Sequence, residues 1–340
     1  MQTLMKYSRG ARLILAGTAL ALSSTMAMAA EKKTLCVWDI VGAQGDVFNM
    51  MKDYKLAAAK WGVTFDLKPY TDEKIAAEDF KAGQCDAVVM TGLRARQFNS
   101  FVGSMDALGA LPTYAMQAKA LATVASPAAA KLMVSGNYEV AGATPMGAAY
   151  LFVNDRSINT VGKLSGKKIA VLDYDKAQAK MVQLVGAQPV ASDVTNFAGK
   201  FNNGSVDIIG APAAAFKPLE LVKGLGTKGA IVNFPLVQLT LQVLIRRDRF
   251  SEDFGQKSRE YIQSQYPRAM SLIKTAEADI DKKYWMQIPE ADKAKHISMM
   301  RDSRAALTND GIYDKRMMSV LKKVRCQLEP TNAECAQNIE

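Results

Sequence analysis

At 340 residues, with 49% hydrophobic and 22% charged residues, the chain carries enough apolar material to bury a core, and its length suits two lobes better than one. Its net charge of +10 is moderate and comes without an aromatic RNA-binding motif, which argues against nucleic acid as a partner. Four cysteines, no C-x-x-C and the single His296 leave no metal site of familiar spacing and no base for Ser-His-Asp or Cys-His catalysis.

Residues 1–30 carry Lys6, Arg9 and Arg12, then an apolar run from Leu13 to Leu22, then Ala27-Met28-Ala29-Ala30. This is the pattern of a secretory signal peptide, with cleavage expected after Ala29 or Ala30. The apolar run falls short of the roughly 20 residues a membrane span needs. No later segment is long and apolar enough, so the exported protein is not expected to be membrane-embedded. No cysteine stands at the lipidation position, and removal of the signal lowers the net charge to +7.

The mature chain opens with a predicted strand from Thr34 to Ile40 and a loop of small residues, Val41 to Gly45. Asp46 is expected to cap a helix whose apolar positions Val47, Met50, Met51, Tyr54, Ala58 and Trp61 keep the helical period until Gly62. A strand from Val63 to Leu67, a helix from Thr71 to Gly83 and a strand from Cys85 to Met90 complete a β-α-β-α-β half. Phe101 to Pro112 reads as irregular. Tyr138 to Val140 and Met146 to Asn154 read as strands, the second carrying the chain into another lobe.

There, Lys168 to Leu172 is a buried-strand run, Lys176 to Val185 is helical with Gly186 as its stop, and Val206 to Ile209 is a second buried strand. Strand, helix, strand in this order builds a parallel sheet. Gly210-Ala211-Pro212 begins the return, and Ala230 to Arg246 holds further strand material. A helical period then runs from Ser251 to Ile280, about 45 Å at 1.5 Å per residue, with a kink predicted at Pro267. Pro289 to Leu307 and Ile312 to Leu328 form two more helices. The lobes are expected to comprise 31–142 with 213–250, and 143–212 with 251–340.

Cys36, Cys85, Cys326 and Cys335 fit an oxidising compartment and allow three pairings. Cys36 with Cys85 is favoured because both stand at starts of strands adjacent in a 2-1-3 sheet; Cys326 with Cys335 closes a short loop containing Pro330. Lys315, Arg316, Lys322, Lys323 and Arg325 on the last helix read best as a solvated face. Gly224-Leu-Gly226-Thr-Lys-Gly229 has the spacing of a dinucleotide loop, but a helix precedes it and a strand follows, the reverse of what a pyrophosphate site needs. Ser165-Gly-Lys-Lys168 precedes a strand, where a serine acyl enzyme has its serine open a helix. No cofactor and no catalytic residue is expected.

Ligands of open α/β sheets bind at the carboxyl ends of strands. The candidates there are Trp38, Asp39, Gly42 and Gln44 after the first strand; Thr91, Gly92 and Arg94 after the third; Asp173, Tyr174 and Asp175 in the second lobe; and Pro212 after its return strand. The ordinary alternatives are a core aromatic for Trp38 and helix caps or surface charges for Asp173 and Asp175.

Leu164, Gly166, Lys168 and Ile169, then Gly186-Ala187-Gln188-Pro189-Val190, then Gly204-Ser205-Val206-Asp207 resemble the central block of the TRAP-type periplasmic solute-binding proteins. The resemblance implies a two-lobed α/β fold of the type II periplasmic binding class, with parallel-rich sheets and a long kinked helix bracing both lobes. It implies capture of a small polar ligand in an interlobe cleft, for delivery to a membrane transporter. The family normally carries, on the strand after Leu-x-Gly-x-Lys-Ile, an arginine that clamps a ligand carboxylate; this chain has Ala170 there. With that arginine missing, the nearby acidic and aromatic residues favour a cationic or polyhydroxylated ligand, while Arg94 and Arg96 keep an anion site open. Trp38-Asp-Ile-Val-Gly-Ala and Phe101-Val-Gly-Ser-Met-Asp-Ala-Leu-Gly also resemble the AdeT-like solute-binding proteins, a group linked with RND-type efflux and aminoglycoside resistance. That link implies an alternative role as a periplasmic adaptor of an efflux system.

Overall fold

The computed structural model describes residues 31–337; the expected signal peptide, residues 1–30, lies outside the described residues. The chain begins with β1 (Glu31–Trp38), which lies between β2 (Val63–Tyr70) and β3 (Ala87–Thr91), parallel to both. The intervening helices are α1 (Asp46–Ala59) and α2 (Glu73–Lys81). The short helices α3 (Gly92–Ala95) and α4 (Ser100–Gly103) follow, then α5 (Tyr114–Ala125), β4 (Val134–Ser135) and the long β5 (Tyr138–Val153). The next stretch is β6 (Lys168–Leu172), α6 (Lys176–Leu184), β7 (Gln188–Ser192), α7 (Phe197–Asn202) and β8 (Ile208–Pro212), with β6 parallel to both β7 and β8. The return comprises α8 (Val222–Leu225), β9 (Ala230–Val232) and β10 (Val237–Arg246); α9 (Phe254–Ser264), α10 (Tyr266–Ala278), β11 (Trp285–Met286), α11 (Glu290–Asn309) and α12 (Lys315–Leu328) close the chain.

These strands form one continuous mixed sheet in the order β2-β1-β3-β10-β5-β8-β6-β7. Its two ends are parallel, as the β-α-β order of each half dictates, and they are joined through antiparallel β5 and β10. The sequence reads β5 as two strands, Tyr138 to Val140 and Met146 to Asn154, with Gly142 and Pro145 in the gap between them. The chain instead runs through, accommodating the interruption with register shifts against β10, one of them where Pro145 and Gly147 face Thr240 and Leu239. A proline cannot donate to the ladder and is tolerated at such a bulge.

Four apolar clusters flank the sheet, two at each end. Phe65, Tyr54, Val89 and Val243 belong to one beneath β2-β1-β3, and Phe80, Met90, Met116 and Leu321 to the other. Phe152, Phe201, Ile209 and Leu225 lie in one cluster at the β8-β6-β7 end, and Ile169, Val171, Val182 and Ile208 in the other. Phe216, Leu221 and Ile231 pack with Phe152 and Ile209, whereas Phe254, Ile262, Leu307, Met317 and Leu321 pack with the first end. α9 and α12 turn their apolar faces to the first end, while α11 touches both, through Leu307 at the first end and against α6 at the second.

Pro267 sits in the first turn of α10 and divides the predicted long helix at Gln265, as its missing N–H requires. The two segments still bridge the sheet: Phe254 and Ile262 are in a first-end cluster, Ala276 and Ile280 in a second-end one. Disulfides join Cys36 to Cys85 and Cys326 to Cys335, with Cα separations of 5.9 and 5.6 Å. Arg325 departs from the solvated face expected of the basic C-terminal helix. It is buried and pairs with Glu334, as does Arg304. No helix among the described residues is long and apolar enough to cross a membrane.

Candidate functional site

A cavity of ≈ 170 Å³ lies between the two ends of the sheet. Trp38, Thr91, Leu93 and Leu108 line it from the first end, Ala170, Leu172, Tyr174 and Pro212 from the second, and Met146 and Leu239 from the long middle strands. This is the position that topology predicts, because the carboxyl ends of β1, β3, β6 and β8 all converge there.

Of the sequence candidates, Trp38, Thr91, Tyr174, Asp175 and Pro212 line the cavity. Asp39, Gly42, Gln44, Gly92, Arg94 and Asp173 are not among its lining residues. Asp39 turns back instead: its carboxylate accepts from the Val41 and Phe48 backbone N–H groups. It thereby does for α1 the capping that Asp46 was expected to do; Asp46 lies in the first turn and Gly45 is the N-cap, without a side-chain bond. Gly45 is needed there because a Cβ would stand 1.9 Å from Asp39 Oδ1. Gly92 packs equally closely, since its Cβ would lie 2.4 Å from Thr240 Oγ1 and 2.6 Å from Asp106 Oδ2. Gly42 and Gln44 form the short turn before α1. Asp173 donates its backbone N–H to Ser192 O.

Arg94 stands behind the wall. Its guanidinium lies 3.4 Å from the centroid of the Tyr174 ring and its Nε donates to Glu73 Oε2 at 3.3 Å. Glu73 is fully buried and also accepts from the Thr91 N–H at 2.7 Å and from the Tyr174 hydroxyl at 3.0 Å. Burial raises the Glu73 carboxyl above its ordinary range against these partners, and raises the Tyr174 phenol well above its own. Nearby, Arg96 Nη1 donates to Asp175 Oδ1 at 3.0 Å, and the same carboxylate oxygen caps α6 through the Ala177 N–H. Glu73, Arg94 and Arg96 belong to the first end and Tyr174 and Asp175 to the second, so these contacts bind the two ends directly around the cavity.

Each of the remaining polar lining side chains holds at least one protein partner. Asp106 accepts from the Thr240 N–H at 3.0 Å and from its hydroxyl at 2.7 Å, and burial pushes its carboxyl up to about 7 despite these bonds and the Arg96 charge. Trp38 Nε1 donates to Thr71 O, Gln178 Oε1 accepts from the Leu172 N–H, the Tyr313 hydroxyl accepts from the Leu108 N–H, and Thr91 Oγ1 caps α3 through the Arg94 N–H. No lysine or arginine is among the lining residues, and Ala170 is. Ala170, where the resemblance implied a carboxylate-clamping arginine, therefore lines the cavity with a methyl group.

Asp106, Leu93, Leu108, Met146, Gln178 and Tyr313 were missed by the sequence reading. Asp106 and Leu108 fall within the Phe101 to Pro112 stretch, which read as irregular and so did not indicate which side chains reach the cleft. Elsewhere, Gly226 ends α8 and β9 follows, so the glycine-rich 224–229 stretch has the helix-first order expected of a turn. His296 is buried, its Nδ1 3.0 Å from Asp292 O and its ring against Phe234.

Residues 55–340 match the family model described as "Solute-binding protein AdeT 1/2". The chain is 53% identical over 304 residues to "Probable solute-binding protein AdeT1" of Acinetobacter baumannii, covering 89% of this chain and 100% of that one. It is 27% identical to "Probable solute-binding protein AdeT2" of the same organism, over 69% of this chain and 98% of that one. Among solved structures, a TRAP periplasmic solute-binding protein from Desulfovibrio salexigens with bound orotic acid superposes with a TM-score of 0.71 at 17% identity, covering 87% of this chain and 99% of the other. One from Roseobacter denitrificans with bound β-D-glucuronate gives 0.66 at 13% identity, covering 86% and 99%. These structures share the two-lobed α/β fold with this protein. The match over most of its length, together with the identity to a full-length relative, makes the chain a member of the AdeT 1/2 family of solute-binding proteins.

Proposed function

We propose that this protein works in the periplasm, where it captures a small solute in the cavity between the two ends of its sheet and hands it to a membrane transporter. One observation carries the reading: the cavity walls come from both ends, and side chains of opposite ends bond directly around it. Binding is then coupled to closure, because a ligand that touches both walls favours the state in which they meet. The lobes follow the core packing. One comprises 31–146 with 240–264 and 300–328; the other comprises 147–239 with 276–288. The hinge runs through β5, β10 and the α9–α10 pair. The signal-like N-terminus and the two disulfides support export to an oxidising compartment. A non-catalytic role accords with lining side chains that hold structural hydrogen bonds.

The experiment is small-angle scattering and native mass spectrometry on protein isolated from the periplasm without refolding. Retention of one small molecule and a smaller radius of gyration than after its removal support the reading. Protein that holds no small molecule across a metabolite screen, while co-purifying with an efflux transporter, would replace it with the adaptor role.

A further inference from the structure

The volume and wall chemistry of the cavity define the solute further, on the reading that the cavity is the solute site. At ≈ 170 Å³ it is close to the apolar cavity of about 150 Å³ that takes benzene, a space that suits an occupant of about one ring. Its walls include the side chains of Ile40, Leu93, Leu108, Met146, Leu151 and Leu172, together with Trp38 and Tyr174. The polar tips of both aromatics point to partners outside the cavity, Thr71 O and Glu73.

Charge is opposed on both sides. A carboxylate taken into this space meets Ala170 and no lining lysine or arginine, so it loses its hydration without an ion partner. Arg94 and Arg96 each have one buried guanidinium nitrogen without a hydrogen-bond partner, but neither lines the cavity, and both are held by Glu73, Tyr174 and Asp175. A cation meets two carboxyl groups, but Asp175 is paired with Arg96 and caps α6, and Asp106 is spent on Thr240. A polyhydroxylated sugar needs several hydrogen-bonding groups along the lining, whereas those of Trp38, Asp106 and Tyr174 and one oxygen of Asp175 already hold protein partners.

We propose that the solute is an uncharged molecule of about one ring, with an apolar body and at most one or two hydrogen-bonding groups. This departs from the acids named with the solved neighbours, orotic acid and β-D-glucuronate.

Three probes of the same skeleton and different charge test it: benzyl alcohol, benzoate and benzylammonium, titrated calorimetrically into protein stripped of any co-purified molecule. Benzyl alcohol is expected to bind at least about tenfold more tightly than either ion, the discrimination that desolvating an unpaired charge imposes. Ala170→Leu, which fills the cavity without adding charge, is expected to weaken benzyl alcohol by a similar factor. Ala170→Arg is expected to bring benzoate above benzyl alcohol. If Ala170→Arg fails to fold, the leucine variant and the wild-type ranking still decide the matter. Tightest binding of benzoate or benzylammonium, or binding of none of the three, overturns the proposal. If a sugar acid or polyamine then binds and compacts the protein, the solute-binding role survives and only the ligand class falls. If no small molecule binds at all, both fall.

Discussion

The Tyr174 hydroxyl is the most economical point at which to test whether the two ends of the sheet hold each other around the cavity. It donates at 3.0 Å to Glu73 Oε2, and Glu73 is fully buried. Tyr174→Phe removes this single bond and keeps the ring that Arg94 stacks on and that walls the cavity. A hydrogen bond to a charged group contributes about 1.5–3 kcal/mol, and each 1.4 kcal/mol is about tenfold in an equilibrium constant. The closed form should therefore lose about ten- to a hundredfold in population relative to the open one, with solute affinity falling in step. Glu73→Gln alone disturbs Thr91 and Arg94 as well, so the bond is best isolated by a double-mutant cycle measured by denaturant unfolding and calorimetric solute binding. A coupling energy of about 1.5–3 kcal/mol is expected. Additivity within about 0.5 kcal/mol, with unchanged solute affinity in Tyr174→Phe, would refute the cross-cavity latch.

Asp106, with its carboxyl at about 7, gives a pH prediction. An acid whose folded pKa is raised stabilises the fold most below its unfolded value near 4, and that contribution is lost as pH rises through about 7. The stability difference between wild type and Asp106→Asn should shift by an amount on the order of 4 kcal/mol between these limits; a difference that stays constant with pH contradicts it. Replacing Cys36 and Cys85 by alanine, which opens a loop of 49 residues, should cost about 4 kcal/mol in denaturant titration, against about 2.5 for Cys326 and Cys335 with their separation of 9; equal costs would point to native-state effects instead. Glu139→Gln leaves Arg259, which donates to Glu139 Oε1 at 2.6 Å and is 3% exposed, without its buried counter-charge. It should cost about 3–5 kcal/mol in equilibrium unfolding, and a loss below about 1 would show the pair to be well solvated.

Much of the fold was legible because local pattern and tertiary demand agree. The run Lys168 to Leu172 is a strand in the structure with the same bounds, an apolar stretch bounded by Gly166 before it and by Asp173 to Asp175 after it. The Cys36–Cys85 pairing followed from β1 and β3 being neighbours. β5 was hidden by Pro145 and two glycines, whose bulge only the partner strand β10 could reveal. The apolar stripes of α11 and α12 say that they are buried, not against which end of the sheet.

The position of the cavity was legible in the sequence, its lining less so. Strand ends converge where topology puts them, so Trp38, Thr91, Tyr174 and Pro212 were accessible to reasoning from spacing. Asp39 sits just beyond β1, and nothing local shows that its carboxylate caps the next helix. Asp106 and Leu108 reach the cavity from an irregular loop with no periodicity to read. Ala170 was identified as a departure from the family's arginine, and its place on the cavity wall gives that departure a physical meaning.

The central claim, a solute held between two ends that close on it, is tested most directly by native mass spectrometry of protein taken from the periplasm, followed by identification of whatever dissociates. The account predicts one small uncharged molecule in stoichiometric amount, lost together with compactness when the cavity is filled by Ala170→Leu. A protein that carries no small molecule and whose dimensions are the same before and after exposure to a metabolite extract would contradict it.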